Sequence, residues 1–437
     1  MMKLSPVARL GLFATASAIA LGGLSTAAQA GGFYLQEQSV KAAGRAFSGE
    51  VSDQGAESLW WNPAAIAGAT HNSAYIGASA ILPRAHVRDN GTLIVRPGQA
   101  PASVGGNPDA KDPIDNGVLP SGAVGYRLND QFALGLALTS PFSFSTNYDA
   151  NSWARYTADK TKLRTIDIQP SIAFAPSPMI GIGAAINVEH SSATLSNALP
   201  NLSPLLADGQ QQLKGKGWDV GYSVGVQLHP SSIVDLGLSY KSSIKHKLDG
   251  NVVISGLLGP LAGQNATIST KATFRTPWQL IAGGRIKASD RLTLNGQIAR
   301  IGWNKFDAIR LGAPINAALP ENYRNTWSVA GGLDYAVTPK WIMRSGIQWD
   351  QTPTRNGQRD ARVPDSDRIN FAIGTSYKIT DSITIDGAAD YIRFKDATVD
   401  KTTAAYAGTA VQTPILVNGR ITGSSAIVLA LGGRISF

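Results

Sequence analysis

Five histidines, His71, His86, His190, His229 and His246, are the obvious candidates for acid–base or metal chemistry. They are widely spaced, and none sits in a zinc-ligand spacing or a nucleophile motif. Cysteine is absent, which excludes disulfides and thiolate metal sites. No enzyme, cofactor or metal centre is implied. Three cations carry more: Arg324, Arg368 and Lys241 each lie in strand-like sequence where alternation turns them inward, and a buried cation can pair with a carboxylate. Leucines then gather in two stretches that are otherwise polar or glycine-rich. Leu199, Leu202, Leu205 and Leu206 are in one, Leu257, Leu258 and Leu261 in the other. Leucine in an exposed loop marks a binding surface or two loops packed as a lid, and a leucine-lined lid is also a groove for an acyl chain.

The inward reading depends on period-two segments that recur from about His71 to the end. Phe132, Leu134, Leu136 and Leu138 oppose Ala133, Gly135, Ala137 and Thr139; Ile166, Ile168, Ile172 and Phe174 oppose Thr165, Asp167, Gln169 and Ser171. With Trp327, Val329, Leu333 and Tyr335 facing outward, Arg324 faces inward, and the same parity turns Arg368 and Lys241 inward. Each of the three could equally close an internal salt bridge, for example to Asp365, Asp367, Glu37, Glu50 or Glu57. Charged residues are only 16% of the 437 residues, against about 25% in soluble domains. The net charge of +9 is spread along the chain without a basic run, so nucleic acid is not a predicted partner. No apolar run after residue 30 suits a spanning helix. A membrane-spanning reading therefore requires a closed barrel, in which every backbone group is paired.

Two patterns favour the barrel. Tight turns at Asn129-Asp130, Pro176–Pro178, His229–Ser231, Ala288–Asp290, Thr338-Pro339 and Thr380-Asp381 alternate with long polar connections, as in outer-membrane barrels, and give about fourteen strands. Aromatics cluster near strand ends at Trp153, Trp218, Tyr240, Trp278, Trp303, Trp327, Trp341 and Trp349, as an interfacial girdle would. A final alternating strand ends on Phe437, resembling the signal read by the barrel-assembly machinery. The predicted class is all-β: an antiparallel transmembrane barrel in the bacterial outer membrane, a monomer in contact with outer-membrane lipid and lipopolysaccharide.

The start of the chain breaks the alternation. Residues 1–30 have the positive start (Lys3, Arg9), apolar core (Leu10–Leu24) and Ala28-Gln29-Ala30 site of a cleaved secretory signal. Residues 31–70 mix charge, glycine and aromatics, and are expected to fill the barrel formed by residues 71–437 as a plug. Gly44, Arg45, Ser48, Gly49 and Glu50 would pin it, with the glycines allowing tight turns. Asn62 would cap a short helix opened by Pro63 and Ala64. Trp60 and Trp61 argue against a free tail, because adjacent indoles need burial.

The stretches GGFYLQEQSVKAAGRAFSGE and WWNPAAI, followed by Thr139-Ser140-Pro141-Phe142, Ser239-Tyr240-Lys241-Ser242, Thr276-Pro277-Trp278, Tyr323-Arg324 and Pro364–Arg368, resemble the FadL-type outer-membrane transporters of long-chain fatty acids and other hydrophobic compounds. The resemblance covers essentially the whole chain after residue 30. It implies a fourteen-stranded plugged barrel in which a hydrophobic ligand lands on an outer groove, moves to an interior pocket and leaves sideways through the wall. Aromatic or alkane hydrocarbons are the alternative cargo, and a structural barrel, adhesin or phage receptor the alternative of another class. Ser140, Pro141 and Phe142 mark the predicted lateral exit, since proline cannot donate to a sheet ladder; an ordinary strand end at the outer rim is the competing reading.

Overall fold

The computed structural model describes residues 32–437. The expected signal segment, and Gly31 at the start of the expected plug, lie outside the described residues. Fourteen long antiparallel strands form the wall: β1 (Ser73–Asp89), β2 (Gly117–Arg127), β3 (Phe132–Thr139, resuming as Ser143–Asn147), β4 (Lys160–Ser177), β5 (Ile180–Leu199), β6 (Gly209–Ser231), β7 (Val234–Lys241, resuming as Lys245–Ser255) and β8 (Ala266–Arg275, resuming as Trp278–Lys287). Then follow β9 (Leu292–Gly302), β10 (Thr326–Thr338), β11 (Trp341–Asp350), β12 (Arg368–Lys378), β13 (Ile383–Phe394) and β14 (Gly419–Ser436). Each pairs with its neighbour in sequence, and β14 returns to β1 from Ser73↔Ser436 to Asp89↔Gly419, closing the barrel. Asn72 and Phe437 exchange backbone hydrogen bonds at the seam.

Side-chain period explains the wall. Leu134, Leu136, Ile172, Val220, Leu238, Leu280, Val329, Ile347, Phe371 and Leu429 are exposed on the outside, where lipid covers them. Their neighbours Thr165, Asp167, Gln169, Asn187, Gln297 and Gln348 are buried inside. The six predicted tight turns all join consecutive strands on one end. On the other end several strands run on past the membrane: β6 has 23 residues, roughly 75 Å at about 3.3 Å per residue, against an apolar band of about 25 Å. Trp327, Trp341 and Trp349 are exposed at strand ends as expected of a girdle, while Trp218, also exposed, lies within β6 rather than at its end. Trp153 and Trp303 depart from the expectation: both are buried, Trp153 in an apolar core of outer loops and Trp303 inside the barrel. An aromatic at a strand end reads alike whether it turns to lipid or to the lumen.

The lumen is filled by the N-terminal segment. It contains one helical turn, α1 (Val40–Ala43), capped by Ser39, and three short 3₁₀ turns. The last of these, Pro63–Ile66, starts as predicted: the Asn62 side chain accepts from the Ala64 amide, and Pro63 needs no donor there. Gly49 has φ +67°, which favours glycine. Gly44 serves a different purpose from the expected turn: its φ is −63°, and a Cβ there would lie 2.8 Å from the Gly374 Cα of β12, so it is the point where plug and wall touch.

Candidate functional site: a stoppered apolar cavity beside a broken strand

Charges hold the plug in place. Arg45, fully buried, pairs with Glu50, with Asp53 and with Asp334 of β10 at 2.9 Å. Lys41 reaches Asp53 at 2.9 Å and Glu57 at 2.7 Å. From the wall, Arg285 of β8 pairs with Asp53 and with Asp334 at 2.7 Å, and Arg434 of β14 bridges Glu57 at 3.1 Å and Asp386 at 2.7 Å. Ser58 donates to Glu50 at 2.7 Å, and Ser48 donates to the Arg45 carbonyl at 2.7 Å. A buried charge of this kind is stable only with its partners, so the stopper and the wall form one electrostatic unit.

Beyond the plug lies an apolar cavity. Leu163, Ala193, Leu195, Leu213, Leu248 and Phe274 line it from the wall, and Ile309, Tyr323 and Val363 from the outer connections. Phe33, from the plug, is its floor. The Phe33 ring lies 4.9 Å from Trp303, 5.0 Å from Phe306, 5.8 Å from Phe144 and 6.0 Å from Phe142, centroid to centroid. Few polar side chains reach this space, among them Glu321 and Arg362. Arg362 donates to the Ser196 carbonyl at 3.2 Å and Asn197 Oδ1 at 3.1 Å, and among the described residues no carboxylate lies within 4 Å of it. Glu321 accepts from Lys401 at 3.1 Å, and Lys401 also faces Asp360 at 3.5 Å. Burial pushes the Glu321 carboxyl up to about 7 although Lys401 opposes this.

The cations singled out by alternation are distributed differently. Arg324 lies in the connection before β10, which begins at Thr326, so strand parity does not govern it. Its side chain is 40% exposed, faces Asp367 at 3.7 Å and donates to the Thr352 carbonyl; it does not line the cavity. Arg368 does point inward, but it is buried against Asp350 and Asp365, one of the internal bridges expected as the alternative. Lys241 is buried with its ammonium 3.8 Å from the Trp60 ring centre. It lines a smaller space together with Pro141, Phe142, Asp167 and Glu189. Sequence reasoning missed Arg362 and Glu321, which sit in connections without periodicity.

The leucines divide. Leu199, Leu257 and Leu261 are buried together with Leu202 against them, so the two outer connections pack on each other. Leu205, 93% exposed, and Leu206 and Leu258 remain on their surface.

At Ser140–Phe142 strand β3 is interrupted. Below the break, Ala133–Leu138 pair with β2. Above it, Ser143–Asn147 pair with β4, while Gly117–Ser121 of β2 pair with β1; one isolated bridge, Ile114↔Thr146, crosses the interval. The plug completes the edge from inside. Leu35 donates to the Pro141 carbonyl at 2.8 Å, Ser143 donates to the Phe33 carbonyl at 3.1 Å, and Tyr34 stands opposite Phe142. Gln38 adds a bond to each backbone group of Ser140.

Comparison with known proteins identifies this plugged fourteen-stranded barrel. The sequence model of the family described as "Outer membrane protein transport protein (OMPP1/FadL/TodX)" matches residues 22–437. A long-chain fatty acid transport protein of Escherichia coli O6:H1 is 26% identical over 413 residues, covering 86% of this chain and 90% of its own length. Outer membrane protein P1 of Haemophilus influenzae is 24% identical over 435 residues, 88% of this chain and 90% of its own. The crystal structure of a Pseudomonas aeruginosa FadL homologue superposes with a TM-score of 0.82 at 25% identity, covering 93% of this chain and all of that one. The Pseudomonas putida toluene transporter TodX shares the fold, with a TM-score of 0.65 at 15% identity over 93% of this chain and all of its own. The chain is a β-barrel of the bacterial outer membrane and belongs to the OMPP1/FadL/TodX family of outer-membrane transport proteins.

Proposed function

We propose that this protein carries long-chain fatty acids passively across the outer membrane. One observation carries the reading: a barrel whose stopper is held by ion pairs keeps an apolar chamber, and Phe33 in the lining of that chamber meets Phe142 at the break in the wall. An apolar solute gains about 25 cal/mol for each Å² it withdraws from water, which a water-filled pore does not offer. In this reading the exposed leucines, Leu205, Leu206 and Leu258, receive the acyl chain, and the lid leucines part to admit it. Arg362 takes the carboxylate, with Lys241 as a second cation closer to the exit. Ser140–Phe142 form the exit, and the segment from Gly44 to Glu50 with Asn62–Ala64 holds the plug while Phe33–Leu35 move. The protein acts as a monomer, and Phe437 is the residue read during barrel assembly.

Competition among oleate, methyl oleate and toluene for the purified protein tests this. Oleate binding at least tenfold tighter than the ester supports the fatty-acid reading. Equal binding of oleate and its ester, with toluene competing, favours hydrocarbons, in keeping with the aromatic floor of the chamber. Uptake unchanged after loss of the gene favours an adhesin or phage receptor.

A further inference from the structure

Outside the barrel the fold gathers cations that are far apart in sequence. Lys245 on β7 and Arg275 on β8 are direct cross-strand partners, and both are exposed. Like charges placed opposite each other repel unless an anion lies between them. Lys305, in the turn after β9, and Arg310, in the outer connection that follows, line one shallow cleft with Lys245, Arg275, Thr273, Asn304 and Asp307. Asp307 is engaged by Arg310 at 3.0 Å, and on the neighbouring rungs Asp249 is engaged by Lys271 at 3.1 Å. Among the described residues no carboxylate lies within 4 Å of Lys245, Arg275 or Lys305. Lys247, Lys214 and Lys216 extend the exposed positive face along β7 and β6.

The height of this site fits a headgroup. On β8, Trp278 is three residues nearer the membrane than Arg275, roughly 10 Å at about 3.3 Å per residue. Trp278 lies 6.4 Å from Tyr240, and Tyr240 lies 6.1 Å from Tyr222, a row of amphipathic rings of the sort that marks the interface. The cations thus stand just beyond the aromatic row, on the end carrying the long outer connections.

We infer that Lys245, Arg275 and Lys305 form a binding site for the phosphate groups of a lipopolysaccharide anchor in the outer leaflet. Ammonium and guanidinium groups converging on a cleft are the donors a phosphate takes, and clustered basic residues beside a membrane surface select anionic headgroups. This site is separate from the chamber and does not depend on which compound is carried.

Native mass spectrometry of the full chain in non-ionic detergent tests it, with bisphosphorylated lipid A, dephosphorylated lipid A and inorganic phosphate as probes. The wild type is expected to retain bisphosphorylated lipid A at least tenfold better than the dephosphorylated form. K245Q/R275Q/K305Q should lose that preference, whereas K287Q/R291Q/K340Q at the opposite end should keep it. The single variant K305Q lies outside the sheet ladder and should weaken retention several-fold even if the triple variant fails to assemble. Equal retention of both lipids by the wild type, retention unaffected by K305Q and the triple variant, or displacement by millimolar inorganic phosphate overturns the proposal.

Discussion

The amide of Leu35 donates to the carbonyl of Pro141 across 2.8 Å, joining the stopper to the broken edge of its own barrel. The wall is incomplete at β3, and the chain's own N-terminal segment supplies the missing partner. In the proposed path, movement of Phe33–Leu35 remodels the chamber floor and uncovers the wall break together, so that binding at the floor is coupled to opening without a second signal.

Removing Arg45 tests how the stopper is held. Its guanidinium is shared by Glu50, Asp53 and Asp334. Arg45→Ala leaves Glu50 without a cation and takes one partner each from Asp53 and Asp334, which keep Lys41 and Arg285; breaking one side of such a buried network costs about 3–5 kcal/mol. The barrel is expected to persist, seen as faster migration unboiled than boiled on a denaturing gel, while leak of small polar solutes rises. Deleting residues 32–65 should raise leak further. Wild-type permeability in both variants would remove the plug from the account.

Arg362→Gln separates headgroup from chain recognition. A charged hydrogen bond contributes about 1.5–3 kcal/mol, so oleate affinity should fall at least tenfold while methyl oleate binding stays within twofold. An equal fall for both ligands would mean that Arg362 only shapes the chamber. Arg324→Gln, at the exposed rim, should change neither.

Glu321 predicts a pH dependence. Burial raises its carboxyl to about 7 from 4.5, so it ionises between about pH 6 and 8, facing Lys401, with Asp360 and Arg362 nearby. The raised value also means that its contribution to stability is present below about 4.5 and is lost as pH rises through about 7. An ionised Glu321 repels an anionic ligand, so affinity for a long-chain alkyl sulfonate, whose own charge is constant, should fall from pH 6 to pH 8. Glu321→Gln should flatten that profile. A slope retained in the variant would assign the titration to another group.

Much of this architecture is legible in the sequence because it is local. Alternation and turn residues such as Asn129-Asp130 fix strands and the faces they present, and Asn62-Pro63 writes its own cap. Arg368 and Lys241 turn inward as their parity requires. Arg324 escapes because parity ends where β10 begins, two residues later. The chamber itself is not legible: Phe33, Phe144, Trp303, Phe306 and Tyr323 meet only because the plug and an outer connection converge, and no period links them. The facing cations Lys245 and Arg275 become neighbours only through strand register.

In the proposed path, Phe33–Leu35 must leave the β3 edge for ligand to pass. Tyr34 and Phe142 are a non-hydrogen-bonded antiparallel pair, whose Cα atoms typically lie about 4.5 Å apart, within disulfide range, and the chain has no native cysteine. In a Tyr34→Cys/Phe142→Cys variant, uptake of radiolabelled oleate should fall at least tenfold when the bridge is fully oxidised and return on reduction. Undiminished uptake through the fully oxidised protein would contradict the account.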